Sequence, residues 1–385
     1  MKVLYDSQAF TQKYGGISKS FCELIKNLPQ NVQWEIAIKQ SNNIHLRQLN
    51  LVPNLEQNQL YCDNFLTKKN FKGKNRLYNL CNKLLPNLPT LEHINRKYEE
   101  KLLRQGDFDI FHPTFFDDYY LSLLSKKPFV LTIHDMMPEL FPQYFKQNDL
   151  QIIKKRKLVK KAAAIIAVSE KTKADIVNIL GVPPEKIEVI YHGGPEIDTR
   201  SRYEDPIIQG KYILYVGNRA GYKNFKQFIE GFALFAQELD DIKLVCTGPE
   251  FSKNELKLIQ ENNIRKKVIH YFANDVEIGN LYSHALTFAY PSLYEGFGMP
   301  ILEAYAYGCP VFLSKCSCFP EIAGNAAIYY DTQIGAQDIA SKLSMIYRYD
   351  AKERQALINV GYKQLSLYSW QKSALKLAKL YESII

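Results

Sequence analysis

The sequence predicts an α/β protein built from two doubly wound, Rossmann-like domains that face each other across a cleft. Three observations carry that expectation. A short apolar strand, a glycine turn and a helix open the chain, as Lys2 to Asp6, Tyr14-Gly15-Gly16 and a helix from Ile17. The same order returns in the middle, as Tyr212 to Val216, the loop Gly217 to Asn224 and a helix from Phe225. Between and after these starts, apolar segments of strand length alternate with helical stretches, the pattern of parallel sheets covered by crossover helices. The length of 385 residues and a hydrophobic share of 46% suit two or three ordinary domains with two substantial cores.

Taken in order, Ile17 to Leu28 has helical periodicity and ends at Pro29, and Val32 to Ile38 alternates like a strand. Gly15 and Gly16 open that helix, where they either cradle an anion or simply make a tight turn. The region 41–104 is weakly patterned, with two helical candidates near 74–85 and 90–104 that are rich in Lys and Arg. Leu77, Tyr78, Leu80, Cys81, Leu84 and Leu85 form an apolar stripe on the first, which suits either a membrane surface or an ordinary protein surface. Phe108 to His112 and Phe129 to His134 read as buried parallel strands, each ending in a histidine on the expected cleft side. An imidazole at His134, followed by Asp135, can hydrogen-bond a hydroxyl or share a proton, although lone histidines are commonly structural. Asp107-Phe108-Asp109 has the form of a metal-binding pair, but Asp109 opens an apolar strand and nothing near it completes a hard-metal shell.

Ala162 to Val168 is a further strand, and Ser169 caps the helix after it. Lys186 to Tyr191 is another, running into His192-Gly193-Gly194-Pro195. Glu196 to Gly210 mixes charge, Pro and Gly without periodicity and reads as the linker, so the domains are expected at 1–195 and 196–367. The second half continues with strands at Ile242 to Thr247, Val268 to Tyr271, Ala285 to Tyr290, Pro310 to Leu313 and Ala327 to Tyr330, and closes with a helix from Trp370 to Ile384.

The totals narrow the function. No apolar run approaches the roughly 18 residues of a membrane span, and MKVLYDSQAF lacks the apolar core of a signal peptide. The protein is expected in the cytoplasm, or peripheral on the inner face of the cytoplasmic membrane. Seven scattered cysteines, with only Cys316 and Cys318 close together, read as reduced thiols and fit neither a disulfide framework nor a zinc site. The net charge of +9 is concentrated: Lys68 to Arg104 holds ten basic residues against three acidic, and Lys146 to Lys161 seven against one. Such faces suit phosphorylated substrates or an anionic membrane, and no nucleic-acid motif accompanies them.

The most informative stretch is PSLYEGFGMPILEA, Pro291 to Ala304. Glu295 and Glu303 are separated by seven residues, and Gly296, Gly298 and Pro300 prevent one continuous helix between them. The unit reads strand, glycine loop, helix from Pro300, and Gly308 just past the helix end. Loops at the carboxyl ends of parallel strands bind ligands, and helix N-termini suit phosphates. Either the two carboxylates meet a sugar-bearing ligand, or Glu303 offsets the helix dipole in the first turn and Glu295 is solvated. In the other loop, Arg219 and Lys223 either dock a diphosphate or are solvated cations.

Pro291 to Ala304 resembles the donor-sugar motif of glycosyltransferase family 4, the retaining enzymes of the GT-B fold, and the continuation Gly308 to Asp331 with its Pro-Glu-x-Ala-Gly segment is also similar. The resemblance implies transfer of a hexose from a GDP- or UDP-linked sugar, with retention, to a glycan or lipid-linked acceptor of cell-surface polysaccharide synthesis. It implies His134 and Glu295 as catalytic residues. It implies donor contacts from Gly16, Arg219, Lys223, Phe272, Gly296, Phe297, Gly298, Met299, Pro300 and Glu303, with Gly15 and Asp135 on the acceptor side. The Arg–Lys spacing is one residue shorter than the family's, and His192-Gly193 replaces its usual asparagine-glycine turn. The closing helix, 368–385, is implied to cross back onto the first domain. No metal or other cofactor is expected, since cations and helix N–H groups can stabilise the leaving diphosphate. Nucleotide-sugar 2-epimerases share such twin domains, and a non-catalytic nucleotide-sugar sensor is a third reading; a donor-only incubation separates the first two.

Overall fold

The structure, a computed structural model, describes residues 1–53, 55, 73, 74, 76, 77, 80, 81, 90–145, 149–197 and 205–385. Much of the stripe expected on 74–85, part of the basic segment beginning at Lys68, Lys146, and 198–204 of the expected linker lie outside the described residues. Among the described residues no helix is long and apolar enough to cross a membrane.

The first half contains β1 (Lys2–Tyr5), β2 (Gln33–Ile36), β3 (Ile110–His112), β4 (Val130–Ile133), β5 (Ala164–Ala167) and β6 (Ile187–Val189). They form two parallel three-stranded sheets, in the orders β2-β1-β3 and β4-β5-β6, and a parallel bridge between Phe111 and Phe129 joins them. Their residues are mostly apolar and buried, as strands covered on both faces must be. The second half contains β7 (Lys211–Tyr215), β8 (Ile242–Cys246), β9 (Val268–His270), β10 (Thr287–Tyr290), β11 (Val311–Ser314) and β12 (Ala327–Tyr330). These make one parallel sheet in the order β12-β11-β10-β7-β8-β9. The chain winds outward in both directions from the β7–β10 pair, so the switch point lies between those strands. It is where Gly217 to Asn224 and Pro291 to Gly298 emerge.

The helices start where the side chains provide for it. Ser169, Ser252, Asn274 and Asp350 each accept hydrogen bonds from the first backbone N–H groups of the helix that follows, and the last three complete capping boxes. The helix Gly16–Lys26 follows the glycine turn, and Leu91–Gln105 ends at Gly106 with φ 68°.

The closing helix, Trp370–Glu382, packs against Gly16–Lys26 and is fixed by a buried polar chain. Tyr381 Oη lies 2.9 Å from Tyr5 Oη and 2.6 Å from His112 Nδ1, and His112 Nε2 lies 2.8 Å from Thr132 Oγ1. Burial pushes the His112 imidazole down to about 3, helped by His134, so it is neutral. His112, expected on the cleft side, therefore anchors a helix. Two strands of chain cross between the halves side by side. Gly194 N–H donates to the carbonyl of Tyr368 at 3.2 Å, and Ser373 Oγ donates to the carbonyl of Tyr191 at 2.6 Å. A β-carbon at Gly193 would stand 2.3 Å from the Trp370 nitrogen, so only glycine allows this approach.

Tyr381→Phe leaves both the His112 nitrogen and the Tyr5 hydroxyl without their shared partner. Unfolding in urea should show a loss of about 1–3 kcal/mol, the cost of buried polar groups left unpaired, with the denaturant slope unchanged. Unchanged stability would show that the chain of hydroxyls and imidazole does not hold the helix.

Candidate active site

At the switch point the two loops exchange charge. Lys223 Nζ lies 2.5 Å from Glu295 Oε1 and 3.5 Å from Tyr290 Oη, with both charged side chains largely buried. The backbone of Glu295 is held by one hydroxyl: its N–H donates to Ser317 Oγ at 3.1 Å, and Ser317 Oγ donates to its carbonyl at 2.7 Å. Gly298, at φ 90°, turns the chain into the helix Met299–Ala306. That helix starts at Met299, with Pro300 second, which corrects two expectations. Glu303 is its fifth residue and stands in the second turn, so it does not offset the first-turn dipole.

Arg219 differs more sharply from expectation. It is 5% exposed, and all five guanidinium N–H groups have acceptors inside the second half. Nε donates to Glu255 Oε1 at 2.8 Å, Nη1 to the carbonyls of Thr247 at 3.1 Å and Gly217 at 3.5 Å, and Nη2 to those of Glu250 at 3.2 Å and Pro249. In this arrangement Arg219 knits the loops after β7 and β8 together and offers no donor to a phosphate. Phe297 is also committed: it is buried against His192, at 4.9 Å between ring centroids, and Tyr368, at 5.7 Å. Phe272 is exposed beside His270 on the loop after β9.

The glycine loop docks on the first half. A β-carbon at Gly296 would lie 1.7 Å from the carbonyl oxygen of His134 and 3.2 Å from Asp135 Cβ. The Gly296 carbonyl accepts from Ser169 Oγ at 2.6 Å and Thr172 Oγ1 at 3.2 Å. Tyr294 Oη donates to Asp175 Oδ2 at 2.8 Å and accepts from Met136 N–H at 3.3 Å. Glu321, of the Pro-Glu-x-Ala-Gly segment, accepts the N–H of Glu170 at 2.7 Å and of Lys171 at 3.1 Å, capping the helix Glu170–Leu180 from the opposite half. Sequence reasoning quoted that segment but missed this role; the signal was a carboxylate in a motif opposite a helix start.

The two glycine-opened helix starts also meet. A β-carbon at Gly16 would lie 3.2 Å from Met299 Cε, and Lys19 Nζ lies 2.7 Å from Glu303 Oε1. Gly15, in extended backbone, precedes that helix and its carbonyl accepts from Lys19 N–H. A cavity of about 570 Å³ borders this contact, walled by Lys19, Lys26, Met299, Glu303, Tyr368 and Trp370 among others.

His134 directly follows β4, with its carbonyl and its ring facing different ways. Its carbonyl meets the glycine loop, while its ring stacks on His192, with centroids 5.7 Å apart, and packs against Phe21. Burial pulls the imidazole down to about 4, with Asp135 opposing and Lys155 assisting the shift. His134 is thus uncharged at neutral pH, and its buried Nε2 has no hydrogen-bond partner among the described residues. What it can contribute is a neutral hydrogen bond and a fixed carbonyl. Asp135 Oδ1 accepts from Met137 N–H at 3.0 Å, shaping the turn.

Comparison with known proteins agrees with this geometry. The profile of the Glycosyl transferases group 1 family matches residues 202–364, and that of Glycosyltransferase Family 4 matches residues 67–194. Each half of the chain thus resembles one of these two families, and its architecture is the GT-B fold. Among its relatives, the O-antigen chain mannosyltransferase RfbU of Salmonella typhimurium is 30% identical over 202 residues, 52% of this chain and 55% of that one. The chain thus spans about half the length of that relative. The O-antigen chain mannosyltransferase B of Escherichia coli is 27% identical over 267 residues, 66% of this chain and 70% of that one. Among solved structures, HepE of Anabaena in complex with UDP and glucose superposes with a TM-score of 0.68 at 16% identity over the full length of both chains. Sucrose-phosphate synthase of Thermosynechococcus elongatus gives 0.68 at 17% identity, over 100% of this chain and 98% of that one.

Gly296→Ala tests the docking. The new β-carbon must retreat by about 1.3 Å to reach even the 3.0 Å limit from the His134 oxygen. The halves should therefore part, and small-angle scattering should give a larger radius of gyration with unchanged circular dichroism. An unchanged radius would mean that this contact does not set the closed arrangement.

Proposed function

We propose that the chain transfers a hexose from a GDP- or UDP-linked sugar to a glycan or lipid-linked acceptor, with retention and without a metal, in cell-surface polysaccharide synthesis. The observation that carries this reading is the Lys223–Glu295 pair at the switch point, on a loop whose next residue, Gly296, abuts the His134–Asp135 turn. The two mannosyltransferase relatives, named for building O-antigen chains, support the same chemistry.

In this reading the diphosphate lies against Lys223 and the N–H groups at the start of Met299–Ala306, and the sugar lies between Glu295 and His134. The bond from the anomeric carbon to the phosphate oxygen breaks, and negative charge builds on the diphosphate, where a preorganised cation and N–H groups are most effective. The acceptor hydroxyl attacks from the same face, and its proton passes to the leaving phosphate oxygen. Products are the nucleoside diphosphate and the glycoside. Glu303 takes the ribose hydroxyls, exchanging Lys19 for the ligand. Arg219 supports the loop and leaves the phosphate to Lys223.

The acceptor side lies on the first half, near Gly15, Gly16 and Asp135. The helix Leu150–Lys161 there presents Arg156, Lys157, Lys160 and Lys161 outward beside Leu150 and Ile153, which are 66% and 56% exposed. Basic and apolar groups on one helix suit the inner face of an anionic membrane, where a lipid-linked acceptor would be found.

A thermal-shift panel of nucleoside diphosphates and their sugars tests the donor site, since a ligand bound only by the folded state raises Tm. GDP or UDP should raise it, and no shift from any nucleotide would end the transferase reading.

Glu295→Gln should lower turnover by about 10²-fold with nucleotide affinity nearly unchanged, because its contact strengthens as the bond breaks. Glu303→Gln should weaken nucleotide binding by roughly 1.5–3 kcal/mol in titration calorimetry, the worth of a charged hydrogen bond. The reverse pattern would show that the donor lies the other way round.

Vesicles containing anionic lipid should bind the protein at low salt and release it at high salt, and Leu150→Ser/Ile153→Ser should reduce that binding. Equal binding to neutral vesicles would assign the basic helix another purpose.

A further inference from the structure

Lys155 stands apart on its helix. Its neighbours Arg156, Lys157, Lys160 and Lys161 face outward, yet its own side chain is 2% exposed, as is that of Glu139, 3.0 Å away. Taking two charges out of water costs more than burying an apolar pair of the same volume, so stability alone does not explain this one. Where the ammonium points is more telling. Its contacts are Glu139 Oε2 at 3.1 Å, the Asp135 carbonyl at 3.3 Å and Met136 Sδ at 3.9 Å, with the Phe116 ring at 4.9 Å. The three hydrogen-bond acceptors come from residues 135–139, the segment directly after His134.

That segment is also what the second half lands on. The His134 carbonyl faces Gly296, and Met136 N–H donates to Tyr294 Oη at 3.3 Å. Glu295 lies between those two contact residues. A shift of the 134–136 turn would therefore move Glu295, and with it Lys223 at 2.5 Å. We infer that the buried Lys155–Glu139 pair is a positioning device: it fixes the His134–Met136 turn so that the docked glycine loop holds Glu295 and Lys223 at the reacting sugar. An apolar pair would fill the same space but would not hold the Asp135 carbonyl. The inference rests on the transferase reading for its catalytic consequence and on geometry alone for the bracing.

Lys155→Met by itself strands a buried carboxylate and risks misfolding, so the test uses Lys155→Met/Glu139→Leu, with Lys155→Arg as the conservative variant. The double variant should keep or raise the wild-type Tm, as apolar replacements of buried pairs do. Its kcat should fall about 10–100-fold, the scale of a small misplacement of reacting groups, with donor KM and GDP or UDP affinity within about 2-fold of wild type. Lys155→Arg should recover part of the lost turnover. Amide hydrogen exchange should quicken across 134–140 and remain unchanged in 211–330. Wild-type turnover in the folded double variant, or an equal loss of turnover and nucleotide affinity, overturns the inference, and so does unchanged exchange in 134–140. Exchange needs no turnover: a wild-type protein that neither binds nucleotide nor transfers sugar refutes the transferase reading, while the exchange result still decides the brace.

Discussion

No side chain fits at Gly296, because the carbonyl oxygen of His134 stands where a β-carbon would be. Much of the site follows from that contact. The loop carbonyl finds its hydrogen bonds on Ser169 and Thr172, and Tyr294 finds Asp175 and the Met136 N–H, only when the halves meet. Each such bond contributes about 0.5–1.5 kcal/mol, but together they fix both neighbours of Glu295. A loop carboxylate that would otherwise be solvated is thereby buried and aimed.

Burial then requires that charges be matched, and around the cleft they are. Glu295 has Lys223, Glu303 has Lys19, Glu255 has Arg219 and Glu139 has Lys155. The pairs differ in what they can do. Lys19–Glu303 is a quarter to two-fifths exposed, so it adds little stability and is readily exchanged for a ligand. Arg219–Glu255 is tied into backbone carbonyls on every side and is a fixture. Lys223–Glu295 lies between these extremes: with side chains 15% and 12% exposed, it is buried enough to be ordered before a ligand arrives.

How much of this was legible in the sequence depends on the distance over which each feature is decided. The paired strand–glycine–helix starts, the second-half strands and the glycine loop are local patterns, and they appear where expected within a residue or two. Lys223 and Glu295 stand at the switch point because each follows a strand of the central pair, which the sequence shows, but their ion pair across 72 residues was not legible in it. The fixing of Arg219 was not legible because its partner, Glu255, is 36 residues away in the first turn of another helix, and no periodicity reports that. His134 was placed correctly in the chain, but its ring turns toward His192 from a different segment, leaving the carbonyl at the interface. His112 looked like a cleft residue until Tyr381, 269 residues on, took its nitrogen. The Lys155–Glu139 pair was hidden inside a run of lysines that reads as one solvated face.

The doubled crossing between the halves limits how they can move. A single linker would let one half swivel, slide or twist against the other. Here the chain leaves at Gly193 and Gly194 and returns at Tyr368 and Trp370, the two passes pinned by a backbone hydrogen bond where the glycines allow them to lie edge to edge. Two parallel straps fastened along one line define an axis, as in a book's spine. Rotation about that line remains soft, while shear and torsion are stiff. The cleft thus has essentially one mechanical coordinate, its opening angle, and any ligand that changes that angle acts on all the cross-cleft contacts at once.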